Sequence, residues 1–315
     1  MSKISIITFT FNRVSLLPRT IESVLSQSFE DFNYVIINND STDETQSVLN
    51  HYKTKDKRIS VITREKNDVS SKHFIHLQTI LKEQDTNYFM QIDDDDYMEL
   101  SAVDTLYKLI TDNNADIATI GSKWVYPDGT TNNKYVFDGT FVFSRIESMI
   151  ELLKREKFNS AFGGKIYRKH LIENIPVITI NPFRDIHKEY RILNNINKMV
   201  VTGKPLYYFY RHDSNASGLD TPEQITLQRI RQHLEGNLIR TQWLTEHMPE
   251  IKNFVFYCEL SFMISLYERI YKLEVSDCFG IAEEMKTTLF CHKMFLSECG
   301  FLKEYEKEIL ENIGK

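Results

Sequence analysis

Four consecutive aspartates, residues 93–96, directly follow a short apolar run, residues 88–92. Four like charges at the end of a buried strand repel one another and add nothing to stability. Divalent cations such as Mg²⁺ and Mn²⁺ prefer carboxylate oxygens and commonly bridge to the phosphates of a substrate. A solvated acidic turn at the surface is the alternative interpretation. Because the acids come directly after a core-like strand, the sequence favours a site for a metal ion and a diphosphate.

The elements that must hold this acidic cluster alternate between strand and helix. Strands are predicted over 3–9, 32–37, 59–63 and 88–92, and helices over 16–28, 44–52 and 72–83. This order predicts an α/β domain with a doubly wound, mostly parallel sheet. Such sheets bind ligands at the carboxyl ends of their strands. The polar segment 38–43 and the acidic cluster both lie at such ends.

The following segments extend the same domain. We predict helices over 100–113, 144–154, 168–174 and 181–195, and strands over 117–121 and 205–210. A hairpin is predicted over 123–143, with its turn at Pro127-Asp128-Gly129 and a strand-like run over 134–137.

The character of the sequence changes near residue 220. Thr221 before Pro222, with Gln224 three residues after the cap, is typical of a helix start. The remainder predicts helices over 222–247, 251–273, 276–298 and 301–313. The second of these is apolar almost all round, so it packs inside a bundle or forms a surface for self-association or a partner. We therefore predict one domain over 1–218 and a helical C-terminal extension over 219–315.

The composition argues against several classes of protein. A net charge of −6 and a pI near 5.9 disfavour a nucleic-acid groove, which needs a basic excess. The chain has no run of about 18 uncharged apolar residues, so no membrane span is expected. The first residues lack the apolar core of a signal peptide. The four cysteines, all from Cys258 onward, have no zinc or redox spacing. We expect reduced thiols in a cytoplasmic protein, either unattached or at the inner face of the membrane.

Several segments together resemble the family 2 glycosyltransferases, inverting enzymes with the GT-A fold. They are residues 4–13, 25–29 and 38–43, the acidic cluster, Arg184-Asp185 with Arg191, and residues 207–212 with Ser214. Their order and spacing are specific, and the resemblance covers about residues 1–218. It implies a nucleoside-diphosphate-sugar donor and Mn²⁺ or Mg²⁺ as cofactor. It also implies transfer of one sugar, with inversion, to a hydroxyl of a glycan, glycolipid or glycoprotein.

The resemblance places a wall against the nucleobase at the end of the first strand. Thr8, Phe9 and Phe11 would form this wall. Packing in the core explains the two phenylalanines equally well, so both interpretations stay open.

The nucleobase itself is read at the end of the second strand in this resemblance. Asn39 takes the place of the family's usual Asp, which accepts the N3–H of uracil. An amide oxygen also accepts this hydrogen, but without charge assistance. Uridine is therefore favoured, with thymidine or another base left open. Asp40 is an alternative acceptor, and Lys72 or His73 lies where the family often has an Arg near the base or the phosphates.

The acidic cluster would supply the contacts to the ribose and the metal. Asp95 would ligate the metal, and Asp93 would hold the ribose or a metal-bound water. Asp94 and Asp96 would orient these groups. The metal would neutralise the charge that builds up on the departing nucleoside diphosphate.

Two later segments complete the implied site. His212 would contact the metal or the pyrophosphate, with Arg211 as its charge partner. Asp185 is the implied general base, which takes the proton of the acceptor hydroxyl during attack on the anomeric carbon. A helix N-cap explains a lone Asp equally well. Arg184 stands where the family has a Glu, Arg191 keeps the family's Arg, and both would lie on the acceptor side.

Two other functions compete with this interpretation. A nucleotidyltransferase uses a similar sheet and acidic cluster, but it needs a glycine-rich phosphate loop, and residues 8–13 contain no glycine. A catalytically inactive scaffold of the same fold is supported by Asn39 and Arg184, which both depart from the family pattern. A processive polysaccharide synthase is disfavoured because the chain has no Gln-x-x-Arg-Trp motif.

Overall fold

The computed structural model describes residues 2–65, 72–176, 184–212, 219 and 221–313, with the backbone alone for residues 72, 73 and 184–187. The chain divides into two compact units, residues 1–180 with 188–213, and residues 181–187 with 214–315. The predicted domain boundary after Gly218 lies outside the described residues and stays a prediction.

Within the described residues, the first unit contains a mixed sheet of ten strands. The strands are β1 (Ile4–Thr10), β2 (Phe32–Asn38), β3 (Ile59–Thr63), β4 (Tyr88–Gln91), β5 (Tyr97–Met98), β6 (Ile117–Val125), β7 (Thr131–Lys134), β8 (Thr140–Ser144), β9 (Lys165–Arg168) and β10 (Lys198–Tyr210). Their spatial order is β3-β2-β1-β4-β9-β6-β10-β5, with β7 beside β6 and β8 beside β10. β1 to β4 are parallel, as are β6 and β10, whereas β9 runs antiparallel to both of its neighbours. The predicted α/β fold is confirmed.

Helices connect the strands and cover the sheet. They are α1 (Leu17–Leu25), α2 (Thr45–Lys55), α3 (Lys72–Glu83), α4 (Ala102–Asp112), α5 (Arg145–Lys154), α6 (Lys169–Glu173) and α7 (Arg184–Leu193). In α1, the apolar residues at helical spacing, Leu17, Ile21 and Val24, are all fully buried. β2 is an apolar run without alternation because both of its faces are buried, and this explains why the sequence identified it so readily.

The region after β6 differs from the predicted hairpin over 123–143. β6 and β7 do form a hairpin, but β7 ends at Lys134. Tyr135 has a φ of 57°, in the left-handed region, so the chain turns where a strand over 134–137 was predicted. β8 then pairs with β10. β10 itself begins at Lys198, seven residues before the predicted strand, because its first half lies between β6 and β8.

The described residues from 221 to 313, in the second unit, contain five α-helices. They are α8 (Leu227–His247), α9 (Lys252–Lys272), α10 (Phe279–Cys291), α11 (Lys293–Glu298) and α12 (Glu304–Ile313). The predicted helix start at Thr221 is wrong, because Pro222–Gln224 is a single 3₁₀ turn. Thr226 caps α8 instead, and its hydroxyl accepts a hydrogen bond from the N–H of Arg229 at 3.3 Å. The predicted helix over 276–298 is likewise a 3₁₀ turn followed by two helices.

α9 is the central helix of this unit. It packs against α8, α10 and α12, and residues on several of its sides, among them Leu260, Ile264 and Ile270, are buried. The carboxylate of Glu306 on α12 is fully buried and accepts a hydrogen bond of 2.8 Å from the hydroxyl of Tyr257. The apolar character of α9 is therefore explained by core packing, and self-association through these helices stays a prediction. None of the described helices is both long and apolar enough to cross a bilayer.

Gly203, in β10, offers a test of this arrangement. A Cβ atom at this position would overlap the backbone of Phe137. We expect Gly203→Ala to lower the free energy of unfolding by about 1–3 kcal/mol, the usual cost of overpacking. Gly280→Ala is the matched control, because nothing lies within 4 Å of its added methyl group. Thermal unfolding followed by circular dichroism should show a lower Tm for the first variant alone. Equal Tm values would contradict the described packing.

Candidate active site at the carboxyl ends of the parallel strands

The carboxyl ends of β1, β2 and β4 meet at one edge of the sheet, as β1 lies between the other two. Two of the loops that follow these strands are joined by hydrogen bonds. The side-chain oxygen of Asn12 accepts from the N–H of Thr42 at 2.8 Å, and the N–H of Asn12 donates to the hydroxyl of Ser41 at 3.0 Å. Asn12 has a φ of 53°, a conformation that Asn tolerates better than most residues. These bonds give the rim of the site a defined shape.

Asp96 anchors the acidic loop in the interior. Its carboxylate is almost fully buried and accepts hydrogen bonds from the hydroxyl of Tyr207 at 2.7 Å and the N–H of Tyr210 at 2.9 Å. Its carbonyl accepts from the hydroxyl of Thr20 at 2.7 Å. Burial raises the pKa of Asp96 well above its ordinary value, and the charges of the neighbouring aspartates add to this effect. Asp96 therefore holds the loop between β10 and α1.

The preceding aspartates have different surroundings. Asp93 is exposed, and its carboxylate accepts a hydrogen bond of 3.2 Å from the amide of Gln91. Asp94 lies 3.5 Å from Nε of Arg13 and is only partly exposed. Burial, with a contribution from the charge of Asp95, raises the pKa of Asp94 to about 6. Asp93 is thus the most accessible carboxylate of the four, and Asp94 faces the loop after β1.

Asp95 and His212 form the pair that was predicted as metal ligands. Nε2 of His212 lies 2.9 Å from a carboxylate oxygen of Asp95, within hydrogen-bond distance, and both side chains are mostly buried. Arg19 donates to the carbonyl of Asp95 at 2.8 Å. Its guanidinium also lies over the rings of Tyr97 and Tyr210, at 4.6 and 4.2 Å from their centroids. One carboxylate and one imidazole therefore converge at this point, although they are 117 residues apart in sequence.

The predicted wall against a nucleobase divides into two parts. Phe11 is 39% exposed and Phe9 is partly buried, so both reach the surface of the site. Thr8 has no exposed surface, and its hydroxyl donates to the carbonyl of Ile92 and lies 2.9 Å from the hydroxyl of Tyr34. The assignment of Thr8 to the wall is therefore corrected, because it supports the site from beneath.

Asn39 contacts a residue that the sequence interpretation missed. Its side-chain oxygen accepts a hydrogen bond of 3.0 Å from Nη1 of Arg64, the first residue after β3. Nη2 of Arg64 lies 2.7 Å from Nε2 of His76 on α3. A polar side chain directly after a strand was the signal that could have identified Arg64. Asp40 is exposed and has a φ of 63°. The side chains of Lys72 and His73 lie outside the described residues.

Arg211 was predicted to contact the nucleotide-sugar donor, and it directly precedes His212 in the sequence. Its guanidinium lies 4.6 Å from the centroid of the Trp124 ring. Nζ of Lys134 lies 3.8 Å from the same centroid, so two cations contact one indole ring. The backbone N–H of Arg211 donates to the carbonyl of Val125 at 2.8 Å, which continues the pairing of β10 with β6.

α7 carries the residues predicted to act on the acceptor. Arg184 and Asp185 form its first turn, and their side chains lie outside the described residues. Nε of Arg191 donates to the hydroxyl of Tyr190 at 3.2 Å. Glu189, on the same helix, is fully buried and forms an ion pair of 2.8 Å with Lys165 on β9. Glu189 therefore holds the second half of α7 against the sheet.

The hydrogen bond between Tyr207 and Asp96 can be tested by removing one hydroxyl. We expect Tyr207→Phe to lower the free energy of unfolding by about 1–3 kcal/mol, because it deprives a buried carboxylate of a donor. Tyr208→Phe is the matched control, since the Tyr208 hydroxyl donates to the exposed carboxylate of Glu99. Chemical denaturation of both variants measures the difference. A Tyr207→Phe protein as stable as the control would show that Asp96 does not depend on this bond.

Solved structures share this fold and identify its class. Staphylococcus aureus TarS in complex with UDP-GlcNAc matches with a TM-score of 0.60 and 17% identity, over 99% of this chain and 79% of that one. The mannosyltransferase PcManGT from Pyrobaculum calidifontis, in complex with GDP-Man and Mn²⁺, matches with a TM-score of 0.53 and 11% identity, over 99% and 84% of the two chains. The fold is therefore of the GT-A type.

The chain belongs to glycosyl transferase family 2, whose family model matches residues 5–176. Glycosyltransferase GlyA of Streptococcus pneumoniae is 25% identical over 217 residues, which are 66% of this chain and 30% of GlyA. The poly(ribitol-phosphate) beta-N-acetylglucosaminyltransferase TarP of Staphylococcus aureus is 32% identical over 177 residues, 55% of this chain and 51% of TarP. The chain thus spans about a third of the first relative and half of the second.

Proposed function

We propose that this protein is an inverting glycosyltransferase that moves one sugar from a nucleoside-diphosphate-sugar to an acceptor hydroxyl. The observation that carries the proposal is the acidic loop 93–96 at the carboxyl ends of β1, β2 and β4, in a chain of family 2. Ligands of such sheets bind at this edge. The family assignment favours glycosyl transfer over nucleotidyl transfer, and the inactive scaffold is tested below.

The donor would lie across the ends of β1 and β2. Phe9 and Phe11 offer apolar surface to a nucleobase, and Asn39 offers a polar side chain at the same edge. The TarS structure holds UDP-GlcNAc, which supports a pyrimidine nucleotide as the donor. The exposed carboxylate of Asp93 would hold a ribose hydroxyl.

A divalent metal would bind at Asp95 and His212. Their carboxylate and imidazole, 2.9 Å apart, are donors that Mn²⁺ accepts, and Mg²⁺ accepts the carboxylate. No group of three acidic, His or Cys side chains that could hold an ion is present within the described residues. Oxygens of the donor diphosphate would therefore have to complete the coordination. The fold is compatible with such a metal, since PcManGT was solved with Mn²⁺. When bound, the ion supplies charge neutralisation of the leaving diphosphate.

Asp185 is the general base in this proposal. Its position in the first turn of α7 favours a negative charge, because the helix dipole is positive there. The buried ion pair of Glu189 with Lys165 fixes the helix one turn further on. Arg184 and Arg191, on the same helix, are proposed contacts to the acceptor.

The acceptor we propose is a hydroxyl of a cell-envelope glycan or glycolipid, with poly(alditol phosphate) as the first polymer to test. The activity for which TarP is named, transfer of N-acetylglucosamine to poly(ribitol-phosphate), supports this class. A second relative is the teichoic acid poly(glycerol phosphate) polymerase of Staphylococcus epidermidis, which is 33% identical over 220 residues, 66% of this chain and 28% of that protein. A glycoprotein acceptor and the cytoplasmic location stay predictions.

Calorimetric titration tests the donor and the metal together. We expect UDP or another pyrimidine nucleoside diphosphate to bind with Mn²⁺ and to lose most of its affinity in EDTA. Asp95→Asn should weaken the Mn²⁺-dependent binding by at least about tenfold, because the amide is a poorer ligand than the carboxylate. Asp104→Asn, on the surface of α4, is the matched control. Unchanged affinity in Asp95→Asn would refute the metal assignment. No binding of any nucleoside diphosphate by the unaltered protein would favour the scaffold.

Steady-state kinetics test the general base. We expect Asp185→Asn to lower kcat by about a hundredfold or more and to leave donor affinity unchanged, because a positioned base contributes on this scale. Asp104→Asn again serves as the control. A kcat close to that of the unaltered protein would assign the base to another residue.

A further inference from the structure

The side-chain amide of Asn39 is held in one orientation. Asn39 follows β2 directly, is 9% exposed, and donates its backbone N–H to the carbonyl of Thr10 at 2.9 Å. Its side-chain oxygen accepts from Nη1 of Arg64 at 3.0 Å. A guanidinium has five N–H donors and no acceptor. The oxygen of the amide must therefore face Arg64, because the opposite orientation would bring two sets of N–H groups together.

Arg64 is itself held in place. Nη2 of Arg64 lies 2.7 Å from Nε2 of His76, which can serve as the acceptor because the arginine nitrogen is always a donor. The guanidinium is thus held by two side chains, that of Asn39 directly after β2 and that of His76 on α3. Arg64 is partly buried, so water competes less for its hydrogen bonds than at an open surface.

The consequence is that Asn39 has only N–H groups left to offer. In the part of the chain that the structure describes, Nδ2 of Asn39 makes no hydrogen bond, whereas its oxygen is engaged by Arg64. A ligand at the end of β2 would therefore meet a hydrogen-bond donor. An aspartate at the same position would present a second oxygen, which accepts.

We propose that Arg64 is a specificity-determining residue, which orients Asn39 so that the nucleobase is read by a donated hydrogen bond. This inference rests on the proposed donor site. N3 of uracil carries a hydrogen, so it would bring a second donor against Nδ2 of Asn39. N3 of cytosine carries none and would accept a hydrogen bond from Nδ2. The pocket therefore binds cytosine at least as well as uracil, and its preference differs from that of a pocket with aspartate.

The test is a comparison of CDP and UDP, titrated in the presence of Mn²⁺ into four full-length proteins. Asn39→Asp should raise the affinity for UDP relative to CDP by about tenfold or more, the scale of one satisfied against one unsatisfied buried hydrogen bond. Arg64→Ala should shift the ratio in the same direction by a smaller factor. Without the guanidinium, the side-chain amide of Asn39 is able to turn and present its oxygen to the base. Arg58→Ala is the matched control, since Arg58 precedes β3 at its other end and is bound to Asp56. Its ratio should equal that of the unaltered protein.

The outcomes separate the inference from the function on which it rests. A UDP to CDP ratio that is the same in the unaltered protein and in Asn39→Asp would overturn the inference, even where both nucleotides bind. A tenfold or greater preference of the unaltered protein for UDP would overturn it as well. Failure of both nucleotides to bind any of the four proteins would refute the proposed donor site itself. Circular dichroism of Arg64→Ala checks its fold, and Asn39→Asp alone decides the question if that variant is unfolded.

Discussion

The burial of one carboxylate, that of Asp96, is the constraint on which the rest of the site depends. A buried carboxyl group is stable only when hydrogen bonds replace those it made with water. Tyr207 and the backbone of Tyr210 supply these bonds from β10, and the carbonyl of Asp96 binds Thr20 on α1. The acidic loop is therefore tied to two other elements. This attachment determines which way the remaining three aspartates can face.

The four aspartates consequently divide into different environments despite their identical chemistry. Asp96 lies in the interior, Asp94 lies near Arg13, and Asp95 is bound to His212, while Asp93 is exposed. The guanidinium of Arg13, in the loop after β1, reduces the repulsion that a run of four acids would otherwise suffer. The accessible carboxylates face the edge of the sheet where a diphosphate and its metal are proposed to bind.

Contacts between neighbouring strand ends also shape the edge of the sheet where we propose that the nucleobase binds. Parallel strands bring their carboxyl ends together, so side chains that follow β2 and β3 become neighbours. The contact between Asn39 and Arg64 is the result. A departure from the family pattern at Asn39 thus has a physical partner, Arg64, which occupies the oxygen of the amide.

The sequence by itself determined the alternation of strands and helices, the position of the acidic cluster and the family resemblance. These features are local, since periodicity and strand ends are read within about ten residues. Only the tertiary structure decided that Thr8 lies beneath the site, that Glu189 is buried against Lys165, and that Arg64 binds Asn39. The pair of Asp95 and His212 joins residues 117 positions apart. Such contacts follow from the order of strands in the sheet, which no local pattern specifies.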